Sequence, residues 1–145
     1  MSIPVIDIFA GPGGLGEGFS SVMNEEGERF FNTVLSIEMD EYAHETLELR
    51  SFFRQFAPGK APEEYYKFLR QEIDKEELFK SWPEQEEKAK NEAWNIKLGF
   101  DESSVTPDEV DRRIRVALNN EKKWVLIGGP RCQEKPMPTL NGQNL

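Results

Sequence analysis

The chain has 145 residues, 37% of them hydrophobic, a single cysteine and a formal net charge of -9, a length that supports one domain with a real core. One cysteine excludes a disulfide scaffold, no apolar run approaches the roughly 20 residues of a membrane span, and no signal peptide opens the chain, so a soluble, cytoplasmic protein is expected. Ten acidic side chains fall within residues 1–49 against Arg29 alone, while the rest of the chain is balanced; the basic footprint of a free-standing nucleic-acid binder is missing.

Residues 5–9 (Val-Ile-Asp-Ile-Phe) form a short apolar, β-branched run that stops at Gly11-Pro12-Gly13-Gly14, which reads as a buried strand ending in a turn. A helix starts near Leu15. A second apolar run over 33–37 ends in Glu38-Met39-Asp40, and Asp40 is placed to cap a helix with Tyr42, Thr46, Leu49, Phe53 and Phe56 at helical spacing. Strand, helix, strand, helix argues for a parallel sheet with helical crossovers.

From about 57 to 98 the sequence is rich in Glu and Lys, with aromatics and leucines at helical intervals and breaks at Pro58, Pro62 and Pro83. Two or three short helices and no strand are expected there. The mixed charges read as a solvated face, with the alternative that Tyr65, Tyr66, Phe68, Trp82 and Trp94 cover a sheet edge or dock a further segment. Thr106-Pro107-Asp108-Glu109 combines an N-cap, proline at the first helical position and glutamate at the third, a capping box; Val110, Ile114, Ala117 and Leu118 give the following helix one apolar face. Residues 124–127 are a third strand, ended by Gly128-Gly129-Pro130. Residues 134–145 have no periodicity and are expected to form a disordered or loosely packed tail. His44 falls on the polar side of the second helix and is expected as a surface residue rather than a ligand; no second His or Cys accompanies it to build a metal site.

A glycine-rich turn after the first strand offers unhindered backbone amides to an anion or to the polar part of a nucleotide-like cofactor. Glu38, at the tip of the next strand, can accept both hydroxyl protons of a ribose. The spacing is not the dinucleotide fingerprint, and no lysine completes a phosphate-binding loop. The same residues also fit a plain glycine turn with a surface glutamate. Cys132 stands after another glycine-rich strand end; it reads either as a buried structural cysteine or as a nucleophile whose thiolate is favoured by Arg131.

At these residues the chain resembles the DNA cytosine-5 methyltransferases. Asp7-Ile8-Phe9-Ala10-Gly11-Pro12-Gly13-Gly14, continuing to Gly18-Phe19, is similar to the family's first motif, Ser36-Ile37-Glu38-Met39-Asp40 to its second, and Gly128-Gly129-Pro130-Arg131-Cys132-Gln133 to its catalytic loop. The resemblance implies a partial Rossmann-like α/β fold over 1–133 with a helical insertion over about 57–123. It implies S-adenosylmethionine as cofactor, with Phe9 on the adenine, Glu38 on the ribose and Gly11 to Leu15 facing the methionine end. The full implied set is Asp7, Phe9, Ala10, Gly11, Pro12, Gly13, Gly14, Leu15, Glu38 and Met39. It further implies that a cytosine is flipped out of double-stranded DNA, that the Cys132 thiolate attacks C6, and that C5 then takes the methyl group.

The departures are equally specific. Arg131 stands where the family has proline, and the Glu-Asn-Val motif, the Gln-x-Arg-x-Arg motif and a target-recognition domain have no counterpart in these 145 residues. The third motif, an acidic residue for the adenine amino group, has Asp101 as its candidate. The implied function is therefore the N-terminal portion of a cytosine-5 methyltransferase of a restriction-modification type, inactive alone. It would be a remnant or a subunit that engages DNA only with its C-terminal half or a complementary subunit. The alternatives are a non-catalytic module that binds S-adenosylmethionine or an intact methyltransferase, and a non-functional product of a damaged gene.

Overall fold

A computed structural model describes residues 1–129. The chain runs β1 (Ile3–Ile8), α1 (Gly14–Ser20), β2 (Phe31–Glu38), α2 (Glu41–Arg54), α3 (Glu63–Leu69), α4 (Lys75–Ser81), α5 (Pro83–Glu92), β3 (Ala93–Asn95), α6 (Pro107–Leu118) and β4 (Val125–Gly128). The four strands form one parallel sheet in the order β3-β2-β1-β4. This is the expected α/β, partial Rossmann-like architecture, with the carboxyl ends of all four strands along one edge. Cys132, Arg131, Gln133 and the 134–145 tail lie outside the described residues.

Central strands of such a sheet are covered on both faces and so read as continuous apolar runs. Ile6, Leu35 and Ile37 are buried together with Leu118 of α6, and Ile8, Trp94, Val110 and Ile114 pack around them. Asp40 caps α2 as expected, its carboxylate accepting from the Ala43 amide at 2.8 Å. Thr106 caps α6 by accepting from the Glu109 amide at 3.3 Å, but the Glu109 carboxylate pairs with Arg112 instead of reaching back. One half of the capping box is made.

Three expectations need correction. The stretch read as helices alone contains β3, a strand of only Ala-Trp-Asn that pairs with Ser36, Ile37 and Glu38 of β2; Trp94 favours a strand but Ala93 and Asn95 do not, and three residues are too few to show alternation. The inward stripe of α2 is Leu47, Glu48, Ser51 and Phe52, whereas Tyr42 is 83% exposed. The helix lies between the sheet and a second helical layer, so two of its faces are covered. His44 is not a surface residue: its Nε2 lies 3.0 Å from the Ala93 carbonyl oxygen, joining α2 to the root of β3.

That second layer has its own core. Phe52, Leu78, Phe79 and Ala89 are buried, and Phe56, Tyr65, Phe68 and Trp82 close around them, so the aromatics of the charged stretch pack α3, α4 and α5 onto α2. Trp94, by contrast, belongs to the sheet's core. Among the described residues, no helix is long and apolar enough to cross a membrane.

Candidate functional site

β1 ends at Ile8, and the chain then makes three left-handed residues in alternation: Phe9 (φ 54°), Gly11 (φ 58°) and Gly13 (φ 89°). Glycine adopts that conformation freely, but a bulky Phe does so only under strain, a feature that gathers at functional sites. The turn is pinned at several points. The Ala10 amide donates to Ile37 O at 3.0 Å and the Gly13 amide to Ala10 O at 3.1 Å. At 2.7 Å the Gly11 amide donates to Glu38 Oε2, and the Asp40 amide donates to Oε1 at 2.8 Å.

Glu38 is therefore a buried carboxylate that joins the tip of β2 to the turn after β1. Each oxygen accepts one backbone bond and retains a further lone pair. The reading of Glu38 as a surface glutamate is overturned. As the first residues of α1, Gly14 and Leu15 carry amides without intrahelical acceptors.

Gly13 is the position where a side chain is least tolerable. A Cβ there would lie 2.9 Å from Leu47 Cδ1 of α2, at a φ that other residues rarely adopt. Gly13→Ala is expected to cost about 1–2 kcal/mol of stability from the left-handed conformation alone. Chemical denaturation checks it, and an unchanged midpoint would mean that turn and α2 separate freely.

Beside the turn opens a cavity of about 770 Å³, within the range of small-molecule sites. Phe9 forms one wall; Leu98, Val105, Val110 and Ile114, from the β3 to α6 connection and α6 itself, form the other. Phe100 stands at its rim, 97% exposed. Asp101 also lines it, but its carboxylate is occupied by the Lys97 ammonium and the Ser103 and Ser104 hydroxyls, which hold it well below the usual carboxylate range. It caps its own loop.

The residues named from the sequence are thus distributed unevenly. Phe9 lines the cavity; Glu38 and Gly11 form the junction beside it; Pro12, Gly14, Leu15 and Met39 are exposed around that junction, and Ala10 and Gly13 are buried beneath it. Asp7 is completely buried under α1, where Gly16 approaches its Oδ2. Neither of its oxygens forms a well-directed hydrogen bond, and burial pushes its carboxyl up to about 6 against the opposing pull of Arg54.

Sequence reasoning missed Asn95 and Leu98. Asn95 Nδ2 donates to the carbonyls of Glu38 (2.9 Å) and Met39 (3.2 Å), tying the tip of β3 to the same junction. Both were hidden because β3 itself was not recognised. Val110 and Ile114 were legible as an apolar stripe, but as core rather than as a cavity wall. Among the described residues, no group of three or more His, Cys, Asp or Glu side chains could hold a metal ion.

A parallel sheet with a glycine turn after its first strand, an acidic residue at the tip of its second bonded to that turn, and an apolar cavity beside their junction defines a Rossmann-like domain with a nucleoside-sized site. Comparison with characterised proteins adds the chemistry of a relative. The chain is 29% identical over 142 residues to the Type II methyltransferase M.Bpa9945I of Bacillus paralicheniformis, an alignment that covers 89% of this chain and 30% of that protein. The chain thus spans about 30% of the length of the curated relative it matches. No family model matches the chain. No solved structure matches it.

Proposed function

We propose that this chain is the cofactor-binding, N-terminal portion of a DNA cytosine-5 methyltransferase. The observation that carries this reading is the Glu38 junction: a buried carboxylate that holds the glycine turn and still presents lone pairs beside a Phe9-lined cavity. The residues present fit S-adenosylmethionine. This cofactor would supply a methyl group carried on a sulfonium.

Phe9 would offer its ring to the nucleoside base, and Glu38 would accept from the ribose hydroxyls. Gly11, Pro12, Gly13, Gly14 and Leu15 would border the amino-acid end, with Met39 on the exposed side of the junction. The acidic excess of residues 1–49 favours a cationic ligand there. Asp7, buried beneath α1, would act from below the turn rather than by contact.

Cys132 would serve as the nucleophile toward C6 of a target cytosine. DNA, and any complementary subunit, would be engaged together with a further portion comparable to the rest of the longer relative. Methyl transfer in the cytoplasm, within a restriction-modification pair, is the role this reading assigns.

Calorimetry with S-adenosylhomocysteine tests it. The chain is expected to bind, and Glu38→Gln to lose about 1.5–3 kcal/mol, roughly ten-fold to more than a hundred-fold in Kd, because a charged acceptor is lost and one amide donor of the junction meets an NH2 group. No binding by the unaltered chain, or full affinity in Glu38→Gln, would sink the reading.

A further inference from the structure

One buried guanidinium bridges α1 and α5 behind the candidate site. Arg54 ends α2 with its side chain 7% exposed. Its Nη1 donates to Glu17 Oε1 on α1, and its Nη2 to Glu92 Oε1 on α5. Glu92 is also held by Ser51, whose hydroxyl donates to Oε2 at 2.5 Å. The base from which Arg54 extends is fixed too, because Arg29 Nη1 donates to the carbonyls of Arg54 (3.0 Å) and Phe56 (3.2 Å).

One end of this bridge leads to the glycine turn and the other to β3. On the α1 side, the Glu17 amide donates to Gly13 O at 3.0 Å, so a fixed Glu17 fixes the end of the glycine turn. On the α5 side, Glu92 is the last helical residue and Ala93 begins β3, which carries Asn95 at its tip and leads on to Leu98 of the cavity. The charged groups facing Arg54 are Glu17 from α1, Glu92 from α5, Asp7 from β1 and Arg29. Without Arg54, three carboxylates would share this space with Arg29 alone. Arg54 does not line the cavity.

We propose that Arg54 is a positioning residue: it sets the separation between the glycine turn and the tip of β3, and thereby the affinity of the site between them. The inference rests on the cofactor reading for its ligand, but not for its geometry. Lysine keeps the charge yet lacks the planar fork that bonds two carboxylates in different directions.

The test uses the full chain, 15N-labelled, with Arg54→Lys and Glu17→Gln, below the temperature at which either unfolds. Arg54→Lys is expected to weaken S-adenosylhomocysteine binding about ten-fold or more and to shift the ligand-free amide resonances of Gly11, Gly13 and Gly14; Glu17→Gln should do both to a smaller degree. Leu78→Val, which weakens the second core away from this bridge, is expected to lower the melting temperature without moving those resonances. A purely structural role for Arg54 would look the same as Leu78→Val. Folded Arg54 and Glu17 variants with unaltered affinity and unmoved glycine resonances overturn the proposal. If Arg54→Lys does not fold, Glu17→Gln decides, since Glu17 is 35% exposed and the Glu92 bond survives. If the unaltered chain binds no S-adenosylhomocysteine, the cofactor reading fails, and the glycine resonances alone decide whether Arg54 positions the turn.

Discussion

Phe52→Ala is expected to remove about 3–5 kcal/mol of stability, the usual cost of emptying a fully buried aromatic site, out of the 5–15 kcal/mol typical of a domain. Phe52 has no exposed surface. Its ring meets Phe56 edge-on at 5.4 Å and lies tilted against Phe79 at 4.9 Å, so its removal breaks two aromatic contacts as well as leaving a void. The damage should be local in a telling way. Phe52 belongs to the core between α2 and α3 to α5, separate from the core of the sheet and α6. Denaturant unfolding gives the size of the loss, and amide hydrogen exchange its place: α4 and α5 should open well before β1 and β2. Uniform acceleration in every element would show that the two cores unfold as one.

Asp7→Asn should stabilise the protein at neutral pH by up to about 3 kcal/mol, an unusual sign for a substitution in a buried strand. The folded carboxyl titrates near 6, mainly because burial disfavours its charge, whereas in the unfolded chain it titrates near 3.8. Between those values the folded state binds more protons than the unfolded one, so stability from this group falls as pH rises from about 4 to about 6 and the whole cost persists above it. The difference between the two proteins should therefore be largest at pH 7 to 8, shrink through pH 6 and vanish near pH 4. Urea titrations across that range check it. Equal or lower stability of Asp7→Asn at pH 7.5 would mean that the carboxylate finds compensation from Arg54 beyond what burial costs.

Such a residue is costly to keep, although it touches no part of the cavity. A charge held beneath the turn, next to Arg54 and Gly16, destabilises the fold, and under the proposed function it would add to the field around a cationic cofactor. Stability and binding are expected to trade against each other here.

Much of the architecture was legible because local signals agreed with the global fold. The runs over 5–9, 33–37 and 124–127 mark β1, β2 and β4, with Phe9 and Trp124 just outside them, and Asp40 and Thr106 cap the helices they precede. Glu38 could be named from its place at a strand tip next to a glycine-rich turn, and Phe9 only through the resemblance of residues 7–14 to a methyltransferase motif. Glu92 could not: it sits in a run of Glu and Lys that looks solvated, and only folding places it beside Arg54 and Ser51. Asn95 was hidden for a related reason, since a three-residue run becomes a strand only when β2 supplies the partner. Both belong to contacts between distant segments, which no local pattern encodes.

β1 lies in the middle of the sheet, but its two neighbours join it at very different distances along the chain. Val5 pairs with Thr33 on one side and with Val125, 120 residues away, on the other. Local pairings form early and distant ones late, and synthesis proceeds from the N-terminus. The glycine turn and Glu38 can therefore meet on a β1 and β2 pair while β4 is still being made. The side of the candidate site built on the glycine turn and Glu38 is expected to form first, and the strand that leads toward Cys132 to be the last to join the sheet.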